Sequence, residues 1–153
     1  ATRGAALQAP FAVKDQLVLP NICYEDVFGE EIAYQLRNAP QPATLLLNVS
    51  NLSWYGQSVA IPQHLQISRM RTLETGRPML RATNDGATAI IDRRGNLTHA
   101  LPFYTDGVLA ATVRGATGMT PFIRLGSASF LLLGACMLLG AWFAGRRYLR
   151  KKA

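Results

Sequence analysis

The sequence predicts an α/β domain joined to one membrane-spanning helix. Three observations carry that expectation. Two short apolar runs, Gln16–Cys23 and Ala43–Val49, each lead into a helix-like stretch. Several strand-length segments separated by turn residues fill positions 76 to 113. Twenty consecutive residues from Leu125 to Ala144 carry no charge. Continuous rather than alternating apolar strands belong to sheets covered on both faces, and a β-α-β-α-β order belongs to parallel pairing.

The opening, residues 1–15, has no clear hydrophobic period and reads as beginning in mid-domain. Gln16–Cys23 (QLVLPNIC) reads as a buried strand that delivers Cys23 at its end. After Tyr24-Glu25-Asp26, Val27 to Arg37 reads as a helix, with acids near its start and Arg37 at its end, as the helix dipole prefers. Pro40 and Pro42 break it before the strand Ala43–Val49 and a polar loop from Ser50 to Gln57. Pro62 opens a second helix at its favoured first-turn position. That helix runs to about Thr75, with Ile67, Met70 and Leu73 along one side, and Gly76-Arg77-Pro78 ends it. Met79–Thr83, Ala87–Asp92, Leu97–Leu101 and Gly107–Val113 read as strands, with turns at Asn84-Asp85-Gly86 and Arg93-Arg94-Gly95-Asn96. The order is β-α-β-α-β-β-β-β, without internal repeats. The organisation expected is a domain over 1–114, a Gly/Thr/Pro linker over 115–124, a transmembrane helix over 125–144 and a basic tail over 145–153.

At 153 residues, one domain is the expectation. A chain 49% hydrophobic and only 16% charged is not a disordered, polyanion-wrapping protein. The net charge is +7, but five of those charges sit in the last eight residues, as Arg146, Arg147, Arg150, Lys151 and Lys152. The basicity is local, so no nucleic-acid partner is expected. A twenty-residue helix spans roughly 30 Å, the thickness of the bilayer hydrocarbon. Arg124 before the span and the basic cluster after it place the C-terminus in the cytoplasm and the domain across the membrane. A buried core helix is the competing reading. Cys136 lies within the span and Cys23 outside it, so the two cannot form a disulfide.

Cys23 is the residue with chemical promise. A cysteine at the end of a strand, before a helix, is exposed at the sheet edge near backbone N–H groups able to hold an oxyanion. Its thiol needs a base or a cation beside it, and Glu25 could orient such a partner. The alternative is a small buried hydrophobe at a strand end. His64 and His99 each stand alone and read as packing or surface histidines. No spacing suited to a metal ligand set occurs, and no cofactor is expected. Trp54-Tyr55 reads as a membrane-interface anchor or a substrate lid.

The stretch PNICYEDVFGE (20–30) resembles the nucleophile motif of the nitrilase superfamily of carbon-nitrogen hydrolases. NVSNLSWYG (48–56), QHLQISRMRTLETGRPMLRATNDG (63–86) and the apolar helix with its basic tail resemble one branch, the apolipoprotein N-acyltransferases. The chain departs from that branch at Leu52, where Asp is common. The resemblance implies an α-β-β-α sandwich facing the periplasm of a bacterial inner membrane. It implies that Cys23 takes a fatty acyl chain from a phospholipid of the phosphatidylethanolamine type and passes it to a diacylglyceryl apolipoprotein. By the same resemblance the Tyr24 N–H holds the oxyanion, Glu25 shapes the pocket, and Trp54 and Asn51 belong to the lipid-binding loop. The Glu base and Lys of such sites precede the cysteine. Only Lys14 and Asp15 are candidates here, so the chain reads as the C-terminal part of a longer enzyme, inactive alone. A membrane-tethered nitrilase-like amidase and an inactive truncated domain are the other readings.

Overall fold

The computed structural model describes residue 5 and residues 7–152. The side chains of the basic cluster from Arg146 onward lie outside the described residues. Six strands form one mixed sheet in sequential order: β1 (Phe11–Val13), β2 (Gln16–Ile22), β3 (Leu45–Ser50), β4 (Met79–Thr83), β5 (Ala89–Ile91) and β6 (Leu97–Ala100). The inner three are parallel, and β1, β5 and β6 pair antiparallel to their neighbours. Helices α1 (Gly29–Asn38) and α2 (Ala60–Thr75) make the two crossovers, and α3 (Pro121–Leu125) leads into α4 (Ala128–Lys152).

Adjacent parallel strands that succeed one another in a single direction place both right-handed crossovers on the same face. The core follows from that. Leu19, Leu46, Met79 and Ile91 form one row across the sheet, and they pack against Ile32 and Leu36 of α1, Ile61 and Leu65 of α2, and Ile123 of α3. Each such Leu or Ile contributes about 1.5–3 kcal/mol by leaving water. Among the described residues no helix covers the opposite face of the sheet. There Ile22 is 59% exposed and its strand neighbour Val49 43%. The apolar content of β2 and β3 reflects a two-sided strand: on this second face Val18 and Leu45 are buried, while Ile22 and Val49, towards the Cys23 end, are exposed.

Pro20 within β2 has a specific explanation. Leu17 O accepts the Thr44 N–H at 2.7 Å, so odd-numbered residues of β2 face β3 and even-numbered ones face the other edge. β1 pairs only with Gln16 to Val18. The missing N–H of Pro20 therefore falls on an edge without a partner strand, where proline costs no ladder bond. Ile22 on that same edge gives its N–H to Glu25 Oε2 at 2.6 Å instead.

One expectation needs correction, and the packing of α2 adds a detail. Gly107–Val113 is not a strand: it finds no ladder partner, and Val108 is 91% exposed. Only its continuation is fastened, through Gly115 N–H to Gln16 Oε1 (3.0 Å) and Ala116 N–H to Thr44 O (2.9 Å). The buried side of α2 is also not the Ile67-Met70-Leu73 side, since Met70 and Leu73 are about half exposed. It is the side carrying Ile61, His64, Leu65, Ser68, Thr72 and Thr75.

The junction with α4 is tightly held by α1. Arg37 Nη1 donates to the carbonyls of Ile123 (2.9 Å) and Arg124 (3.2 Å), and Glu30 Oε1 accepts the Ser127 N–H at 2.5 Å. Gly126, at φ 58°, makes the turn between α3 and α4, and a Cβ there would lie 2.2 Å from Glu30 Oε2. From Ala128 to Gly145 the helix α4 is long and apolar enough to cross a membrane, with mean hydropathy 1.8 and none of that stretch buried against the rest of the chain. A core helix would be covered.

Candidate functional site

β2 ends at Ile22, and the chain turns at once into a single 3-10 stretch, Cys23–Val27. Cys23 stands at the bend with φ 53°, the left-handed region that costs a non-glycine residue roughly 1–2 kcal/mol. Its side chain is partly exposed, and it forms no disulfide. A strained, partly exposed cysteine at the C-terminal end of a parallel strand can present a nucleophile to a ligand at the sheet edge.

The bend is held from behind by a buried polar cluster. Asp26, fully buried, accepts from His64 Nε2 (2.8 Å) and Ser68 Oγ (2.6 Å), and Arg81 Nη1 lies 3.5 Å from its Oδ2. Arg81 enters from β4 and also donates to Ala87 O (3.1 Å), His64 Nδ1 (2.9 Å), Asn48 Oδ1 (3.4 Å) and the Ser68 hydroxyl. Asn48 in turn donates through Nδ2 to the carbonyl of Cys23 at 2.9 Å and receives the Ser50 hydroxyl at 2.5 Å. A guanidinium has donors only, so Nδ1 of His64 is an acceptor and its proton sits on Nε2, aimed at Asp26. Both imidazole nitrogens are thus engaged, and His64 is not a free base. Burial lowers the pKa of Arg81 to about 10, with the charges of Asp26 and Cys23 opposing the shift. It stays a cation at neutral pH.

In front of the bend, the Tyr24 ring stacks on His64 at 5.5 Å between centroids, and its hydroxyl accepts a hydrogen bond from the Tyr55 hydroxyl. That contact pushes the Tyr55 phenol up to about 12. Tyr55 and Trp54 belong to a short 3-10 turn, Ser53–Tyr55, with their rings 5.2 Å apart. Trp54 is 73% exposed and donates from Nε1 to Asn51 O at 2.8 Å.

The structure thus brings Cys23, Tyr24, Glu25 and the Trp54 loop to one end of the sheet. Glu25 is tied to the Ile22 N–H. Asn51 turns its Oδ1 to Ser53 N–H (3.2 Å) and Asn84 Nδ2 (2.8 Å), so it organises the loop. Leu52, the departure noted in the sequence, is 1% exposed, and its N–H goes to Asn84 Oδ1 at 2.9 Å. Lys14 and Asp15 form the β1–β2 turn, at the other end of a seven-residue strand and roughly 25 Å along the chain from Cys23. His99 lies exposed on β6. His64, read from sequence as a lone packing histidine, is instead part of the buried cluster, and Asp26, Ser68, Arg81 and Asn48 were not singled out at all. A signal existed: His64 and Ser68 are four apart on one helical face, where polar residues replaced the expected apolar ones.

The model of the carbon-nitrogen hydrolase family matches residues 2–121. A curated relative from Ralstonia nicotianae, named apolipoprotein N-acyltransferase, is 56% identical over 145 residues, 95% of this chain and 28% of that protein. One of the same name from Nitrosomonas europaea is 54% identical over 149 residues, 95% of this chain and 29% of its own length. The chain therefore spans less than a third of these relatives. Among solved structures, a mutant amidase of the nitrilase superfamily from Nesterenkonia AN1 superposes with a TM-score of 0.56 at 16% identity, covering 69% of this chain and 41% of that one. At that identity the likeness concerns the fold.

Proposed function

Because this chain belongs to the carbon-nitrogen hydrolase family, we propose that Cys23 is the nucleophile of an apolipoprotein N-acyltransferase of which these residues form the C-terminal part. The observation that carries the reading is the strained bend at Cys23 (φ 53°), built at the end of a parallel strand in a chain that closes with an exposed apolar helix. The Cys23 thiolate attacks the ester carbonyl of a phospholipid of the phosphatidylethanolamine type. The C–O bond breaks, a thioester forms, and the lysophospholipid leaves with a proton on its oxygen. The α-amine of a diacylglyceryl-cysteine then attacks the thioester, the C–S bond breaks, an amide forms, and the amine proton is released as the thiolate is restored.

In this reading the Tyr24 N–H holds the oxyanion, Glu25 fixes the turn, and Trp54 with the loop ordered by Asn51 meets the lipid. The base and the second cation come from outside these 153 residues, because Lys14 and Asp15 stand at the wrong end of β2. Residues 1–114 lie in the periplasm, 125–144 cross the inner membrane, and the tail 145–153 is cytoplasmic. Membership of a family described as carbon-nitrogen hydrolases supports a second reading, in which water takes the place of the amine.

The test is mass spectrometry of the Cys23 peptide from the intact enzyme after exposure to phosphatidylethanolamine. A fatty acyl thioester that is discharged by a lipoprotein amine and is absent in Cys23→Ser is expected. Discharge by water at the same rate, with no amide product, would favour the amidase. Full acyl transfer by Cys23→Ser would refute both.

A further inference from the structure

Cys23 is held in a backbone conformation that a cysteine avoids, and the residues that hold it are buried and polar. Three ties converge on the turn 23–27: the Cys23 carbonyl on Asn48 Nδ2, the Tyr24 ring on His64, and the Asp26 carboxylate on His64 and Ser68. Arg81 contacts Asn48, His64, Ser68 and Asp26, leaving only the Tyr24 ring to be reached through His64. We propose that Arg81 is a positioning residue for Cys23, its guanidinium fork locking Asn48 and His64 so that the nucleophile turn keeps its left-handed bend. The inference rests on Cys23 being the nucleophile.

The chemistry of the fork matters more than its charge. Five donors in a plane reach a backbone carbonyl, an amide oxygen, a hydroxyl, an imidazole nitrogen and a carboxylate together. A lysine ammonium supplies three donors from one point and cannot reach Asn48 on one side and His64 on the other. Releasing Asn48 frees the Cys23 carbonyl, and releasing His64 lets the Tyr24 ring and its N–H drift. A shift of about 1 Å in a reacting group costs on the order of a hundredfold in rate.

Arg77 provides a matched control. It is as deeply buried as Arg81, at 2% exposure, but its fork serves the carbonyls of Ala43 (2.7 Å) and Gly118 (2.8 Å), at the start of β3 and in the linker. The experiment compares Arg81→Lys, Arg77→Lys and His64→Gln in the intact enzyme. It reads the rate of Cys23 alkylation by iodoacetamide, then kcat and KM for phospholipid. Arg81→Lys and His64→Gln are expected to slow alkylation and lower kcat roughly ten- to a hundredfold with KM little changed, while Arg77→Lys leaves both near wild type. If Arg81→Lys does not fold, His64→Gln decides. Wild-type alkylation and kcat in the folded variants would overturn the proposal, as would an equal loss in Arg77→Lys. Alkylation needs no acyl donor, so a failure of the nucleophile reading would show separately, as Cys23→Ser retaining acyl transfer.

Discussion

Replacing Asp26 by Asn changes one atom and should cost much of the local stability. The carboxylate of Asp26 receives three donors, and its side chain and that of Arg81 are both fully buried. An amide keeps only one acceptor oxygen. Whichever way it turns, its NH₂ faces either the His64 Nε2–H or the Ser68 hydroxyl and Arg81. Moving the His64 proton to Nδ1 is no escape, because Arg81 Nη2 donates there at 2.9 Å. The guanidinium also loses its only close carboxylate. Breaking a buried pair from one side costs about 3–5 kcal/mol. The two hydrogen bonds that the amide oxygen can partly keep place the expectation near 3 kcal/mol. The assay is urea unfolding of the intact protein in detergent, followed by aromatic fluorescence. The double variant Asp26→Asn/Arg81→Met should lose distinctly less than the sum of the two singles, since it removes the stranded charge. A single-variant loss under about 1 kcal/mol, or strict additivity, would refute the idea that the two charges depend on each other.

Three further outcomes follow from particular contacts. Trp54→Ala should raise KM for phospholipid several-fold while changing the unfolding free energy by less than about 0.5 kcal/mol, because the ring is mostly in solvent; loss of the thermal transition would make Trp54 a packing residue. The Glu30 carboxyl is held below its ordinary 4.5 chiefly by its hydrogen bonds to Ser127. A depressed carboxylate stabilises above its unfolded pKa and ceases to as pH falls through the folded one, so protection of the Ser127 amide against hydrogen exchange, corrected for intrinsic rate, should fall below pH 4.5 and be insensitive to acid in Glu30→Gln. A reporter active only in the periplasm, fused after Ala153, should stay silent; activity would reverse the proposed orientation.

The elements that packing alone dictates were legible. β2 and β3 are where continuous apolar runs placed them, β4 lies between the turn signals that bounded it, and the twenty uncharged residues announced α4. The errors sit where packing is not the governing term. The side of α2 carrying Met70 and Leu73 is not the buried one, because the buried side carries His64, Ser68 and Thr72. Arg81 reads as an interruption of a strand until Asp26, fifty-five positions earlier in the chain, is found against it. Pairings at that separation have no local signature. The same holds for the left-handed bend at Cys23, since nothing in Asn-Ile-Cys-Tyr announces a positive φ at a cysteine.

What joins the cluster to the apolar helix α4 is α1. The helix begins two residues after the nucleophile turn ends at Val27, and its last turn carries Arg37 on the carbonyls of Ile123 and Arg124. Glu30, in its first turn, holds Ser127 just ahead of α4. One ten-residue rod, about 15 Å long, therefore ties the position of Cys23 to the point where the chain leaves the domain. In the proposed reaction donor and acceptor are both lipids, and the distance of the Cys23 thiol from the bilayer surface becomes a catalytic parameter. A flexible linker after β6 would leave that distance loose. Arg37 holds the C-terminal half of α3 and Glu30 the turn that follows it, while Thr120, just ahead of α3, donates to Glu74 O on α2, so the approach to α4 is fixed to both crossover helices.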